Sequence, residues 1–99
     1  QLQWVIDKTD VNDYRDIARL RLASILIDEK SYEDAIKLLD AKHGEQFDAQ
    51  FAVLKGDALL ANKQAADART AWKLALDKSD KKDVVFRDGV QMRLDAFGG

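Results

Sequence analysis

Residues 29–40, EKSYEDAIKLLD, and residues 62–73, NKQAADARTAWK, are two versions of one local pattern set 33 positions apart. Lys30 corresponds to Lys63, Asp34 to Asp67 and Ala35 to Ala68. Each copy opens on a short polar break and then carries apolar residues at helical spacing, Ala35, Ile36, Leu38 and Leu39 in the first. A helical unit stated twice at a fixed period implies an array in which each unit covers its neighbour, because one helix pair cannot bury its own apolar face.

The rest of the chain agrees with an all-α reading. Proline is absent and the five glycines lie at 44, 56, 89, 98 and 99, so the turn signals of a β-rich chain are missing. The spacing predicts helices at about 1–8, 13–29, 32–42, 47–61, 65–78 and 82–96. Ser31 followed by Asp34 fits a capping box that would start the third of these. Gly44, just after Lys42 and His43, fits a left-handed stop that would end it, with both basic side chains at the negative end of the helix dipole. The breaks near 30 and 63 are so short that the flanking helices must fold back as antiparallel hairpins.

Helices 13–29 and 47–61 are apolar nearly all round, with Ile17, Leu20, Leu22, Ile25 and Leu26 in one and Phe51, Val53, Leu54, Leu59 and Leu60 in the other. Such helices are expected to touch neighbours on more than one side. Helices 32–42 and 65–78 carry polar faces (Glu33, Lys37, Asp40; Asp67, Lys73, Asp77) and read as an outer layer. The last helix has a stripe of Val85, Phe86, Val90, Leu94 and Phe97 and reads as the cap of the array. Trp72 belongs to the inter-helix core, whereas Trp4 has two readings, against the Tyr14–Leu22 helix or toward a partner.

Composition narrows the function. The 99 residues make one domain with a modest core, 46% apolar and 34% charged, too apolar for disorder. No apolar run approaches the roughly 18 residues of a membrane span. Sixteen basic and 18 acidic residues are interspersed, for a net charge of −2, which argues against a nucleic-acid partner. There is no cysteine and a single histidine, so thiolate chemistry and sulfur-based zinc sites are excluded and His43 has no ligand or nucleophile to work with. The series Asp7, Asp10, Asp13 and Asp16 lacks the glycine turn and terminal glutamate of a calcium loop. Catalytic residues, metal and cofactor are all expected to be none, and the chain is expected not to be an enzyme.

Laid on each other, the two units pair Ala23 with Gly56, Leu26 with Leu59, Ala35 with Ala68 and Leu39 with Trp72. This arrangement of small and large positions, at a period near 34, resembles the tetratricopeptide repeat. Three positions depart from that pattern: Lys55 stands where an apolar residue is expected, Lys42 where a small one is, and Tyr32 is matched by Ala65. Across almost the whole chain, the strings LQWVID, IARLRLA (17–23), GDALLA (56–61) and QMRLD (91–95) resemble the C-terminal part of the YfgM family of ancillary SecYEG translocon subunits.

The resemblance implies two tetratricopeptide-like hairpins in a right-handed stack, flanked by an N-terminal helix and a C-terminal capping helix. It implies a fragment, residues 1–99, of a longer, membrane-anchored protein whose N-terminal anchor is absent here and whose domain sits on the periplasmic face of the inner membrane. The implied partners are the SecYEG translocon and periplasmic chaperones or exported clients, with chaperone-like assistance to newly exported proteins. Transferring the repeat pattern puts Leu20, Ser24, Ile27, Asp28, Val53, Asp57, Leu60 and Ala61 on a partner-binding groove. Two alternatives stay open: the repeats act only as a scaffold for complex assembly, or a second copy of the chain covers the same apolar side chains as a homodimer.

Overall fold

The computed structural model describes residues 11–97, with side chains from Tyr14 onward. The helix expected at 1–8, and with it Trp4, lies outside the described residues. Five α-helices run in order: α1 (Val11–Asp28), α2 (Tyr32–Leu39), α3 (Asp48–Ala61), α4 (Ala65–Lys78) and α5 (Val84–Ala96), with a 3-10 turn at Glu45–Phe47 before α3. The described residues contain no strand. The fold is all-α. Helices α1 and α2 form one hairpin and α3 and α4 a second, with α2 and α1 both packing on α3 and α5 packing on α4.

Both hairpins turn through the same device. Lys30 and Lys63 take positive φ, 67° and 65°. In the first turn Ser31 N–H donates to Leu26 O at 2.8 Å and Lys30 N–H to Ile27 O at 3.0 Å. In the second, Gln64 N–H donates to Leu59 O at 2.8 Å and Lys63 N–H to Leu60 O at 3.0 Å. These are paired Schellman closures with lysine in the position glycine usually holds. They account for the failure of the expected capping box, since Ser31 makes no side-chain cap bond. A reciprocal box needs a free N–H on the cap residue, and that of Ser31 is already given to Leu26.

The other expected helix signal also falls elsewhere. Gly44 is extended (φ −71°, ψ 145°) and precedes the 3-10 turn, while α2 ends at Leu39 with Asp40 as its C-cap. The loop is fastened to α1: Gly44 N–H donates to Asp16 Oδ2 at 2.8 Å and Arg19 Nη1 donates to Lys42 O at 2.7 Å. Lys42 therefore sits in a loop, where the small residue of the repeat pattern is not needed. Lys55, the other departure, turns its ammonium to Asp40 Oδ1 at 2.6 Å. His43, expected as a solvated capping residue, instead stacks on Phe51 (centroids 4.0 Å apart, planes 14° apart) with Nε2 2.8 Å from Asp48 Oδ1.

Small residues bring the helices together. Ala23, Ala35, Ala58, Ala68 and Ala75 are fully buried, and Trp72 and Phe51 fill the space beside them. Gly56 lies against the Trp72 indole so closely that a Cβ there would collide with it. One core cluster joins Val53, Leu59, Trp72, Val90 and Leu94, and another joins Ala23, Leu39 and Phe51. Helix α3 is wrapped as expected, but α1 is not: Leu22 and Ile25 are about half exposed, because among the described residues nothing packs on its outer side. In α5, Val90 and Leu94 are buried while Val85, expected on the same stripe, is 84% exposed. Asp83 caps this helix, its carboxylate accepting from Phe86 N–H at 3.2 Å.

Candidate functional site

The inner helices α1 and α3, the first of each hairpin, carry the residues expected to face a groove. Leu20 and Val53 occupy equivalent positions of the two units and meet, with Ser24 beside them, in an open depression of about 260 Å³. Arg21, Gln50 and Leu54 complete its lining. Leu20 and Leu54 are anchored from below, packing against the Ala23, Leu39 and Phe51 cluster. The floor is thus apolar and fixed, with Arg21 and Gln50 exposed beside it. Such a surface can take an apolar side chain and hydrogen-bond an extended backbone, and it holds no titratable pair within reach of a bond to be broken.

The remaining predicted residues separate from this depression. Ile27 is half-buried and Asp28 exposed near the C-terminal end of α1, and Ala61 is exposed at the end of α3. Leu60 packs against the core around Trp72. Asp57, which stands in the second unit where Ser24 stands in the first, is engaged within the molecule. It accepts from Trp72 Nε1 at 3.1 Å, from Arg93 Nε at 2.8 Å and from Arg93 Nη2 at 3.2 Å. Helix α5 therefore engages the second unit's row at Asp57, while the part built from Leu20, Ser24 and Val53 stays open.

Sequence reasoning missed Arg21, Gln50 and Leu54. Their signal is adjacency: each lies one position after or one turn before a residue that the repeat pattern marks, and the pattern names only one row of side chains per helix. It also missed the polar end of the first hairpin. There Asp16, only 3% exposed, accepts from Arg19 Nη1 at 3.2 Å as well as from Gly44 N–H. Among the described residues no cluster of three or more His, Cys, Asp or Glu side chains could hold a metal ion, and no helix is long and apolar enough to cross a membrane.

Comparison with known proteins agrees with this architecture. The chain is 36% identical over 80 residues to the ancillary SecYEG translocon subunit of Escherichia coli, covering 81% of this chain and 38% of that protein. It is 30% identical over 96 residues to the ancillary SecYEG translocon subunit of Neisseria gonorrhoeae, covering 97% of this chain and 46% of that protein. The chain thus spans less than half the length of these relatives. No solved structure matches it significantly. The family model described as a tetratricopeptide repeat-like domain matches residues 1–99, and the chain belongs to that family.

Proposed function

We infer that this chain is the protein-binding domain of a translocon-associated protein, and that the Leu20, Ser24 and Val53 depression is where it receives a polypeptide segment. One observation carries the reading: an open apolar floor built from equivalent positions of two repeats, in a chain whose relatives are named as ancillary subunits of the SecYEG translocon. The domain works on the periplasmic face of the inner membrane, held there by a segment outside this chain. Its task is chaperone-like. It gives loose, reversible cover to apolar stretches of newly exported chains, or to the chaperones that receive them, at the expense of little chemical specificity.

The test uses the domain and a denatured secreted protein diluted into buffer, with light scattering to follow aggregation. Wild type is expected to slow aggregation at a few-fold molar excess. Ser24→Glu and Gln50→Glu, which place charge on the floor and rim without touching the core, are expected to lose that effect while keeping the wild-type melting curve. If wild type leaves aggregation unchanged yet the full-length protein still co-purifies with the translocon, the domain is an assembly scaffold and the client-binding reading fails.

A further inference from the structure

We propose that the end of the first hairpin, where α1 meets the loop from Asp40 to Phe47, binds a phosphate group through Arg15, Arg19 and Lys42. These three side chains surround an open depression of about 420 Å³, lined also by Asp16, His43 and Gly44. It lies apart from the Leu20 and Val53 floor and shares no residue with it.

Among the described residues of this lining the charges do not cancel. Among the described residues Asp16 is the one acid in the lining, and each of its oxygens already accepts a hydrogen bond, Oδ1 from Arg19 Nη1 and Oδ2 from Gly44 N–H. His43 contributes nothing to the open side, because its Nδ1 is 3.0 Å from Ala41 O and its Nε2 2.8 Å from Asp48 Oδ1. Arg15 and Lys42 are exposed, and among the described residues neither side chain has a hydrogen-bond or ion-pair partner. Arg19 spends Nη1 on Asp16 and on Lys42 O, and its other guanidinium nitrogens make no bond to a described residue. Among the described residues, three cations against one internally satisfied acid form a positive spot on a chain whose net charge is −2.

The geometry selects the class of anion. Arg15 and Arg19 are one helical turn apart on α1, while Lys42 comes from the loop that Arg19 itself holds in place. Donors thus come to one depression from two elements. A carboxylate presents two coplanar oxygens that one guanidinium can engage edge-on, whereas a tetrahedral phosphate presents oxygens in several directions, to two guanidiniums and an ammonium together. The group can belong to a soluble phosphate compound or to the headgroup of an anionic phospholipid, and the chemistry of recognition is the same.

The experiment follows the Gly44 amide of the isotopically labelled chain by NMR, since that N–H is bonded to the acid at the base of the site. Inorganic phosphate is expected to shift it saturably, and acetate at equal ionic strength to bind at least about tenfold more weakly. Arg15→Gln combined with Lys42→Gln should weaken phosphate binding by about tenfold or more while leaving thermal melting unchanged, because neither side chain has a partner to lose among the described residues. Sedimentation with phosphatidylglycerol vesicles but not phosphatidylcholine vesicles, abolished in the double variant, identifies the lipid headgroup as the source. Phosphate binding without vesicle binding identifies a soluble compound. The proposal is overturned if phosphate gives no saturable shift, if acetate matches it, or if the double variant binds as wild type does.

Discussion

Arg93 of α5 closes on Asp57 of α3 through two parallel contacts, Nε to Oδ1 at 2.8 Å and Nη2 to Oδ2 at 3.2 Å, and the same carboxylate accepts from Trp72 Nε1 of α4. One acid therefore ties three helices. It fixes the last helix, which packs on α4, to the second unit and takes Asp57 out of the row open to a partner.

The two partners are not equivalent, and stability measurements should show it. Arg93→Ala removes a two-point ion pair whose side chains stay partly exposed, a loss of about 1 kcal/mol. Asp57→Ala removes the same pair and also strands the Trp72 N–H, for about 2 kcal/mol. Urea unfolding of both single variants and the double variant should give a coupling near 1 kcal/mol. Equal losses from the two single variants would mean that the Trp72 bond contributes nothing.

A glycine inside a helix ordinarily invites replacement by alanine, which gains about 1 kcal/mol of helix propensity. At Gly56 the opposite is expected. The added methyl would meet the indole of Trp72, which is 1% exposed and cannot swing away. Overpacking of this kind costs about 1–3 kcal/mol, so Gly56→Ala should unfold at lower urea than wild type. An increase in stability would show that α3 and α4 are not pressed together at this point.

That close approach is legible in the sequence, and the reason is physical. Gly56 and Ala23 stand at equivalent positions, and a repeat whose helices must touch announces its contact points by residue size. The Asp57 and Arg93 pair was not legible in the same way. Asp57 sits in a row the repeat pattern assigns to the open surface, and only the placement of α5 converts it from a surface acid to an internal one. Pattern periodicity reports which side a residue faces. It does not report what another element brings to that side.

The hairpin turns show the same limit. Glycine is the usual sign of a left-handed residue, so Gly44 drew the expectation, yet the left-handed positions are Lys30 and Lys63. Their identity across the two units was visible, but lysine carries no local signal for positive φ. Lys30→Gly and Lys63→Gly should each stabilise the domain by about 0.5–1 kcal/mol: relief of left-handed strain at about 1–2 kcal/mol outweighs the extra backbone entropy glycine brings to the unfolded chain. Lys→Val at either position should destabilise, since a branched Cβ tolerates positive φ poorly. Thermal melts of the four variants check the sign directly, and a destabilised glycine variant would show that the lysine side chains hold the turns by some contact of their own.

In the sequence Asp16 is one of a spaced series of acids, and the structure gives it a definite structural role. It is nearly fully buried in α1 and satisfies Gly44 N–H at 2.8 Å and Arg19 Nη1 at 3.2 Å, so it fastens the loop between the two hairpins to the first helix. Asp16→Ala should cost about 2–3 kcal/mol, because it leaves a backbone N–H without its acceptor and a guanidinium without its counter-charge. Asp16→Asn keeps one carbonyl oxygen for Gly44 and should cost less. Hydrogen exchange separates local from global loss. The Gly44 amide should exchange much faster in Asp16→Ala, with the amides of α5, which packs on α4, changed only by the fall in overall stability. Were the Gly44 amide to exchange no faster than in wild type, the loop would be held by the Arg19 contact to Lys42 O alone.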